Sequence, residues 1–226
     1  MRSLALLLVG VSLAAQAPAI TPFQEAKAQS LLRSQLPCLG CHELDGDGGR
    51  IGPSLTTVGE RRGAAYIRAI VEDPQHFVPG VSMPKTPMPV VARELIIRYL
   101  ARAASQGAAP QPQQVSATNA RDTAPSSLYA RWCAACHGPG GGGDGPNARY
   151  LPVRPAIHNS AAPMSARSDD ALFDAIAGGG AVMGKSPRMP AFGETFTSAE
   201  IRSLVRYIRT LCACEGPAWS RAKAKR

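Results

Sequence analysis

Aromatic residues are scarce in this chain: 2 Trp, 5 Tyr and 5 Phe make up 5% of 226 residues. A core so poor in rings implies that something other than protein fills part of the interior. Charge is thin as well, at 18% Asp, Glu, Lys and Arg, yet the 45% hydrophobic content excludes a wholly disordered chain. Long apolar runs are missing. The best, Leu4 to Ala15, has 12 residues, against the roughly 20 that a membrane-spanning helix needs. Acidic residues are outnumbered 16 to 25 by Lys and Arg, giving a formal charge of +9, and histidine occurs only 4 times. Against these shortages stand 22 Gly and 20 Pro, a loop-rich composition whose length suits two small domains.

The N-terminus sets the compartment. Met1-Arg2 leads into the apolar run, which ends in the small-residue patterns Ala15-Gln16-Ala17 and Ala17-Pro18-Ala19, the layout of a cleaved secretory signal over residues 1–19. An exported chain meets an oxidising, periplasmic environment, where 6 Cys would ordinarily suggest three disulfides. The spacing of four of them argues otherwise.

Cys38-Leu39-Gly40-Cys41-His42 and Cys133-Ala134-Ala135-Cys136-His137 are two complete CxxCH motifs, the signature of covalent c-type haem attachment. Two thiols three positions apart in a short helical turn can add to the two vinyl groups of one haem, and the adjoining His then lies beneath the iron. A zinc site built from Cys38, Cys41, Cys133 and Cys136 would need a far longer gap than zinc ribbons have. A thioredoxin-like dithiol would need a strand before the motif and a βαβ pattern around it. Neither pattern is visible.

The two motifs also share a downstream layout. Met83-Pro84 comes 41 residues after His42 and precedes a periodic segment from Val90 to Ala103, with Leu95, Ile96, Tyr99 and Leu100 on one helical face. Met189-Pro190 comes 52 residues after His137 and precedes Ser198 to Leu211. There Ser198 reads as the N-cap, and Ile201, Leu204, Val205 and Ile208 form the apolar stripe. The result is an internal repeat offset by 95 residues.

On these motifs the chain resembles the class I cytochromes c, present as a tandem pair over residues of about 22 to 211. The resemblance implies an all-α fold of two domains, 20–104 and 125–211, each wrapped around one covalently attached haem, with a linker at 105–124 and a basic tail at 212–226. It implies His42 with Met83 and His137 with Met189 as axial pairs, so that two c-type haems are the cofactors. In the family a Pro carbonyl accepts the hydrogen bond from the proximal imidazole Nδ1, a role that falls to Pro53 in the first unit. In the second unit it falls to Pro155, with Pro152 as the competitor. Met88 and Met183 compete for the axial positions but read more simply as core-filling side chains. His76 and His158 read as exposed or hydrogen-bonded loop residues. Cys212-Ala213-Cys214 has no following His, and its sequence leaves open a bridge, a pairing with another chain, or free thiols.

Filled His/Met coordination implies an electron carrier rather than an enzyme, exchanging electrons with redox partner proteins. These would be a respiratory donor complex or dehydrogenase on one side and a terminal oxidase or reductase on the other. The alternative is a haem subunit of a periplasmic dehydrogenase, or a di-haem peroxidase or thiosulfate-oxidising enzyme. Nucleic acid is not expected as a partner, since the haem motifs account for the chain and positive charge alone is a weak sign of it. Residues 212–226 carry 4 basic groups against 1 acidic, so the tail could make a peripheral contact with anionic lipid or an acidic redox partner.

Overall fold

The computed structural model describes residues 19–103 and 122–221. The expected leader up to residue 18, most of the linker (105–121) and the end of the tail (222–226) lie outside them. Helices carry the fold in two halves, each around its own apolar cluster.

In the N-terminal half, Pro22–Ser34 starts at a capping box: the Thr21 hydroxyl accepts the Gln24 N–H, and the Gln24 side chain accepts the Thr21 N–H. Ala28, Leu31 and Leu32 form its buried face, which packs on the helix Val90–Leu100. That second helix also receives Ala64–Glu72 on its other side. Being flanked twice, it buries Ile97 along with Ile96, Tyr99 and Leu100, while Leu95, expected on the buried face, is half-buried. The Arg68 guanidinium grips both Glu94 carboxylate oxygens, at 2.6 and 2.7 Å, and sets the register of Ala64–Glu72 against its neighbour.

One element departs from an all-α expectation. Glu43–Leu44 and Asp47–Gly48 pair as a two-stranded antiparallel ribbon. Its turn residues Asp45 and Gly46 both have positive φ, 51° and 85°, the requirement that an Asp-Gly hairpin turn meets.

In the C-terminal half, Pro125–Trp132 leads into the single turn Ala134–His137. Asp169–Val182 is capped by Ser168 and kinks at Gly179, whose φ is 80°. Ser198–Cys212 closes the half, burying Ile201, Leu204, Val205, Ile208 and Cys212. Its N-cap is Thr197, one residue earlier than the Ser198 read from the sequence. Thr197 takes the Glu200 N–H and donates its own N–H to the Glu200 carboxylate at 2.7 Å, a reciprocal pair that Ser198, already helical, cannot make. Beyond the helix, Cys212 and Cys214 are joined as a disulfide across Ala213. Trp132, Phe192 and Phe196 form an aromatic knot, with ring centroids 5.3 to 6.1 Å apart.

The halves meet through polar groups. Among the described residues, three of the four buried polar side chains, Asn147, Arg188 and Thr195, bond across this junction. Gly40 fits because a Cβ there would stand 1.9 Å from the Arg188 carbonyl oxygen.

Replacing Thr197 with Ala removes one arm of the C-terminal capping box and should lower stability by about 1 kcal/mol. A shifted urea midpoint for Thr197→Ala, with Thr197→Ser near wild type, is the expected result.

Candidate functional site

Each CxxCH segment is a tight turn built by its own backbone. In the first, Pro37 opens a 3-10 turn, Pro37–Gly40, and both Cys41 N–H (3.2 Å) and His42 N–H (2.9 Å) return to the Cys38 carbonyl. In the second, Cys136 N–H (3.1 Å) and His137 N–H (2.9 Å) return to the Cys133 carbonyl, and Gly138 stops the turn at φ 78°. The same local geometry is therefore made twice, although the two turns share only the Cys and His side chains.

The histidines are oriented from behind. His42 Nδ1 stands 2.7 Å from the Pro53 carbonyl oxygen, and a Cβ on Gly52 would lie 2.4 Å from the ring's Cε1, so only glycine lets the backbone pass under this imidazole. His137 Nδ1 stands 2.9 Å from the carbonyl of Ala156. That corrects the expectation of Pro155, by one residue. His158 N–H bonds to the Gly141 carbonyl and anchors the longer loop, while the Pro155 carbonyl turns toward Gly143, where a Cβ would be 2.7 Å from it. In both halves the carbonyl takes the Nδ1 proton and leaves Nε2 bare as a ligand. Burial lowers the pKa of both rings, which keeps them neutral.

The four thiols are free and half-buried. Burial pushes Cys38 up to about 11 and Cys133 to about 12, and raises Cys136. Cys41 is pushed to about 12 by burial, with the neighbouring Cys136 and Cys38 adding to it. A nucleophilic redox dithiol needs the opposite shift. Among the described residues no group of three or more His, Cys, Asp or Glu side chains is placed to hold a metal ion.

The distal candidates separate by burial in the C-terminal half, whereas Met83 and Met88 are both half-buried. Met189 packs on the C-terminal apolar cluster, and its carbonyl accepts the Gly180 N–H at 3.0 Å. The kink at Gly179 makes room for this loop, because a Cβ there would be 2.9 Å from the Met189 carbonyl oxygen. Met183 is 37% exposed. In the N-terminal half Met83 is half-buried, its carbonyl accepting from Gln75 Nε2 at 2.5 Å. Met88 packs on the apolar cluster there, as Met189 does on the cluster of the other half.

His76 is exposed in the turn Pro74–Phe77. His158 is buried, and its Nδ1 shares a hydrogen bond with the Tyr129 hydroxyl at 3.0 Å. Its ring stacks on His137 with centroids 4.1 Å apart. A ring lying face to face with His137 cannot also stand opposite it across a metal. Burial pushes His158 down to about 3, so it too is neutral.

Two cavities open near the attachment turns, and neither is lined by a Cys, His or Met side chain. A cavity of about 490 Å³ beside the Gly-rich loop is lined by Gly143, Asp144, Arg149 and Arg154 among others, within the size range of cofactor sites. A smaller one of about 220 Å³ adjoins Gly52, Glu43 and Arg50. The fully buried Tyr99 hydroxyl in the N-terminal core has no hydrogen-bond partner among the described residues, a buried polar group that calls for a partner from outside them. Free thiol pairs and a neutral, oriented imidazole beside each of them are the donor set of a covalently attached haem.

Comparison with known proteins reaches the same chemistry for one half. Residues 120–208 match the family model described as cytochrome C oxidase, cbb3-type, subunit III, a class I c-type cytochrome domain. The match spans Cys133, Cys136, His137 and Met189. A domain of this kind carries electrons through haem. No curated protein matches the chain. Among solved structures, a chain of the Kuenenia stuttgartiensis reducing HAO-like protein complex Kustc0457/Kustc0458 is 18% identical, with 76% of this chain and 79% of that chain covered and a TM-score of 0.33.

Tyr129→Phe should leave the buried His158 Nδ1 unpaired and destabilise the C-terminal half by roughly 1–3 kcal/mol. Chemical denaturation followed by the fluorescence of Trp132 in that half measures this, and an unchanged midpoint would mean the hydrogen bond is dispensable.

Proposed function

We propose, starting from the c-type cytochrome domain at residues 120–208, that residues 20–104 form a second domain of the same kind and that the chain is an exported, periplasmic di-haem electron carrier. One observation carries this reading. In both halves two free, half-buried thiols one turn apart precede an imidazole whose Nδ1 is held by a downstream backbone carbonyl, at 2.7 Å and 2.9 Å. A half that merely lined the other's cofactor would have no need of its own copy.

Cys38 and Cys41 would hold one haem and Cys133 and Cys136 the other, each through two thioethers. His42 and His137 would offer Nε2 from the proximal side, with Met83 and Met189 as the distal ligands. When bound, the haem supplies a one-electron ferric/ferrous couple, whose potential a thioether ligand would raise relative to bis-histidine ligation. The protein's part is to hold the imidazoles neutral and exclude water with the two apolar clusters, and its His and Met side chains would hold the iron so that no substrate site is left open. Electrons are then exchanged with redox partner proteins, a respiratory donor or dehydrogenase and an oxidase or reductase. No general base or nucleophile is required for this function.

Replacing Met83 or Met189 with Ala tests the ligand set. Each variant should lose about half of the weak near-infrared thioether-to-iron band and gain carbon monoxide binding at one ferrous haem per chain. Retention of the full band in Met83→Ala, with its loss in Met88→Ala, would move the first ligand to Met88.

A further inference from the structure

We propose that Asn147 is a positioning residue that joins the two haem-attachment turns into one rigid electron-exchange unit, so that an electron passes between the haems within the chain. The inference rests on the di-haem reading above and adds to it the route between the centres.

Asn147 is 1% exposed, and its amide is engaged on every side. Its backbone N–H donates to the Ala135 carbonyl at 2.9 Å, bracing it on the second CxxCH turn. Its side chain then crosses to the first half: Oδ1 accepts the Arg50 N–H at 2.8 Å, and Nδ2 donates to the Gly40 carbonyl at 2.7 Å. The same Nδ2 lies 3.3 Å from Cys136 Sγ. That sulfur stands in for the thioether sulfur of the attached haem, which remains a weak acceptor. One amide thus touches the sulfur at the edge of the second haem and the carbonyl of the residue before Cys41, which carries the first.

The junction is too specific to be packing alone. A buried amide costs free energy unless its donors and acceptor are met, and an apolar residue would fill the gap as well. Gly49 makes the opening, since a Cβ there would lie 2.4 Å from the Gly40 carbonyl oxygen and 2.7 Å from Asn147 Oδ1. From the neighbouring loop, Arg188 reaches across to the first turn as well, donating to the Leu39 carbonyl and to Asp47, each at 2.9 Å. Arg188 immediately precedes Met189, so the distal loop of one half is fastened to the attachment turn of the other. Between the two attachment cysteines the protein path is short: Cys136 Sγ, Asn147 amide, Gly40 carbonyl, Cys41. Exchange along it moves one electron, one iron going from ferrous to ferric as the other goes from ferric to ferrous, with no proton transferred and no bond made or broken.

The test uses the full-length holoprotein with haem counted per chain by the pyridine haemochrome assay. Substoichiometric flash reduction then follows redistribution of the electron between the two haems, and electron paramagnetic resonance of the fully oxidised protein reads magnetic coupling between the irons. Asn147→Ala should slow redistribution by about 10-fold or more, with both haem spectra unchanged. Asn147→Asp keeps an acceptor for Arg50 but loses the Nδ2 donor, and should be slow too. Gly40→Ala is the independent variant: the second motif has Ala135 at the corresponding position, so haem attachment tolerates it, while its methyl group forces the Arg188 carbonyl away. It should weaken the magnetic coupling and slow exchange even if Asn147→Ala does not fold. Two haems per chain with wild-type exchange in Asn147→Asp and Gly40→Ala would overturn the inference and leave the di-haem reading standing. A single haem per chain would overturn both.

Discussion

The hydrogen bond between a backbone carbonyl and the histidine Nδ1 is the constraint on which both sites turn. A free imidazole can present either nitrogen in many directions. A carbonyl 2.7 Å from His42 and another 2.9 Å from His137 remove that choice, fix the tautomer and aim Nε2 away from the chain. Much of the surrounding loop structure serves this contact. The Glu43–Leu44 and Asp47–Gly48 ribbon turns the chain so that Gly52 and Pro53 pass beneath the first ring. In the other half the Gly138 to Gly145 loop does the same with a different path, at the end of which Ala156 meets the second ring.

The second organising feature is the polar seam between the halves. Small domains with few aromatic residues have little apolar surface to spare for docking on one another. Here the docking is done by a buried amide, a buried guanidinium and glycines that let backbones touch. Such contacts are directional, so they set one arrangement where an apolar patch would tolerate several. Burying Arg188 without a partner would be costly, and the Asp47 carboxylate meets it with an ion pair of 2.9 Å. The two halves are therefore held to one another by their own side chains.

Much of this was legible in the sequence, and the remainder was missed for physical reasons. The CxxCH turns could be read because covalent chemistry fixes their spacing, and the stripe of Ile201, Leu204, Val205 and Ile208 because a buried helical face repeats every three to four residues. The cap at Thr197 was off by one because Thr197 and Ser198 are both capable residues and only the reciprocal bond to Glu200 separates them. The ribbon at residues 43–48 is too short for any alternation to show, although its Asp45-Gly46 pair was a usable turn signal. Ala156 displaced Pro155 because a carbonyl carries no side-chain signature. Asn147 was invisible in principle: its partners lie 97 and 107 residues away, and nothing local in a Gly-rich loop marks an asparagine that reaches across a junction.

Two equivalent attachment sites on one chain are the centre of this account, and the intact mass of the purified holoprotein tests it most directly. A mass equal to that of the exported polypeptide plus two haems, both retained under denaturing conditions, is the expected result. A mass that includes only one haem, or haem lost on denaturation, would contradict it.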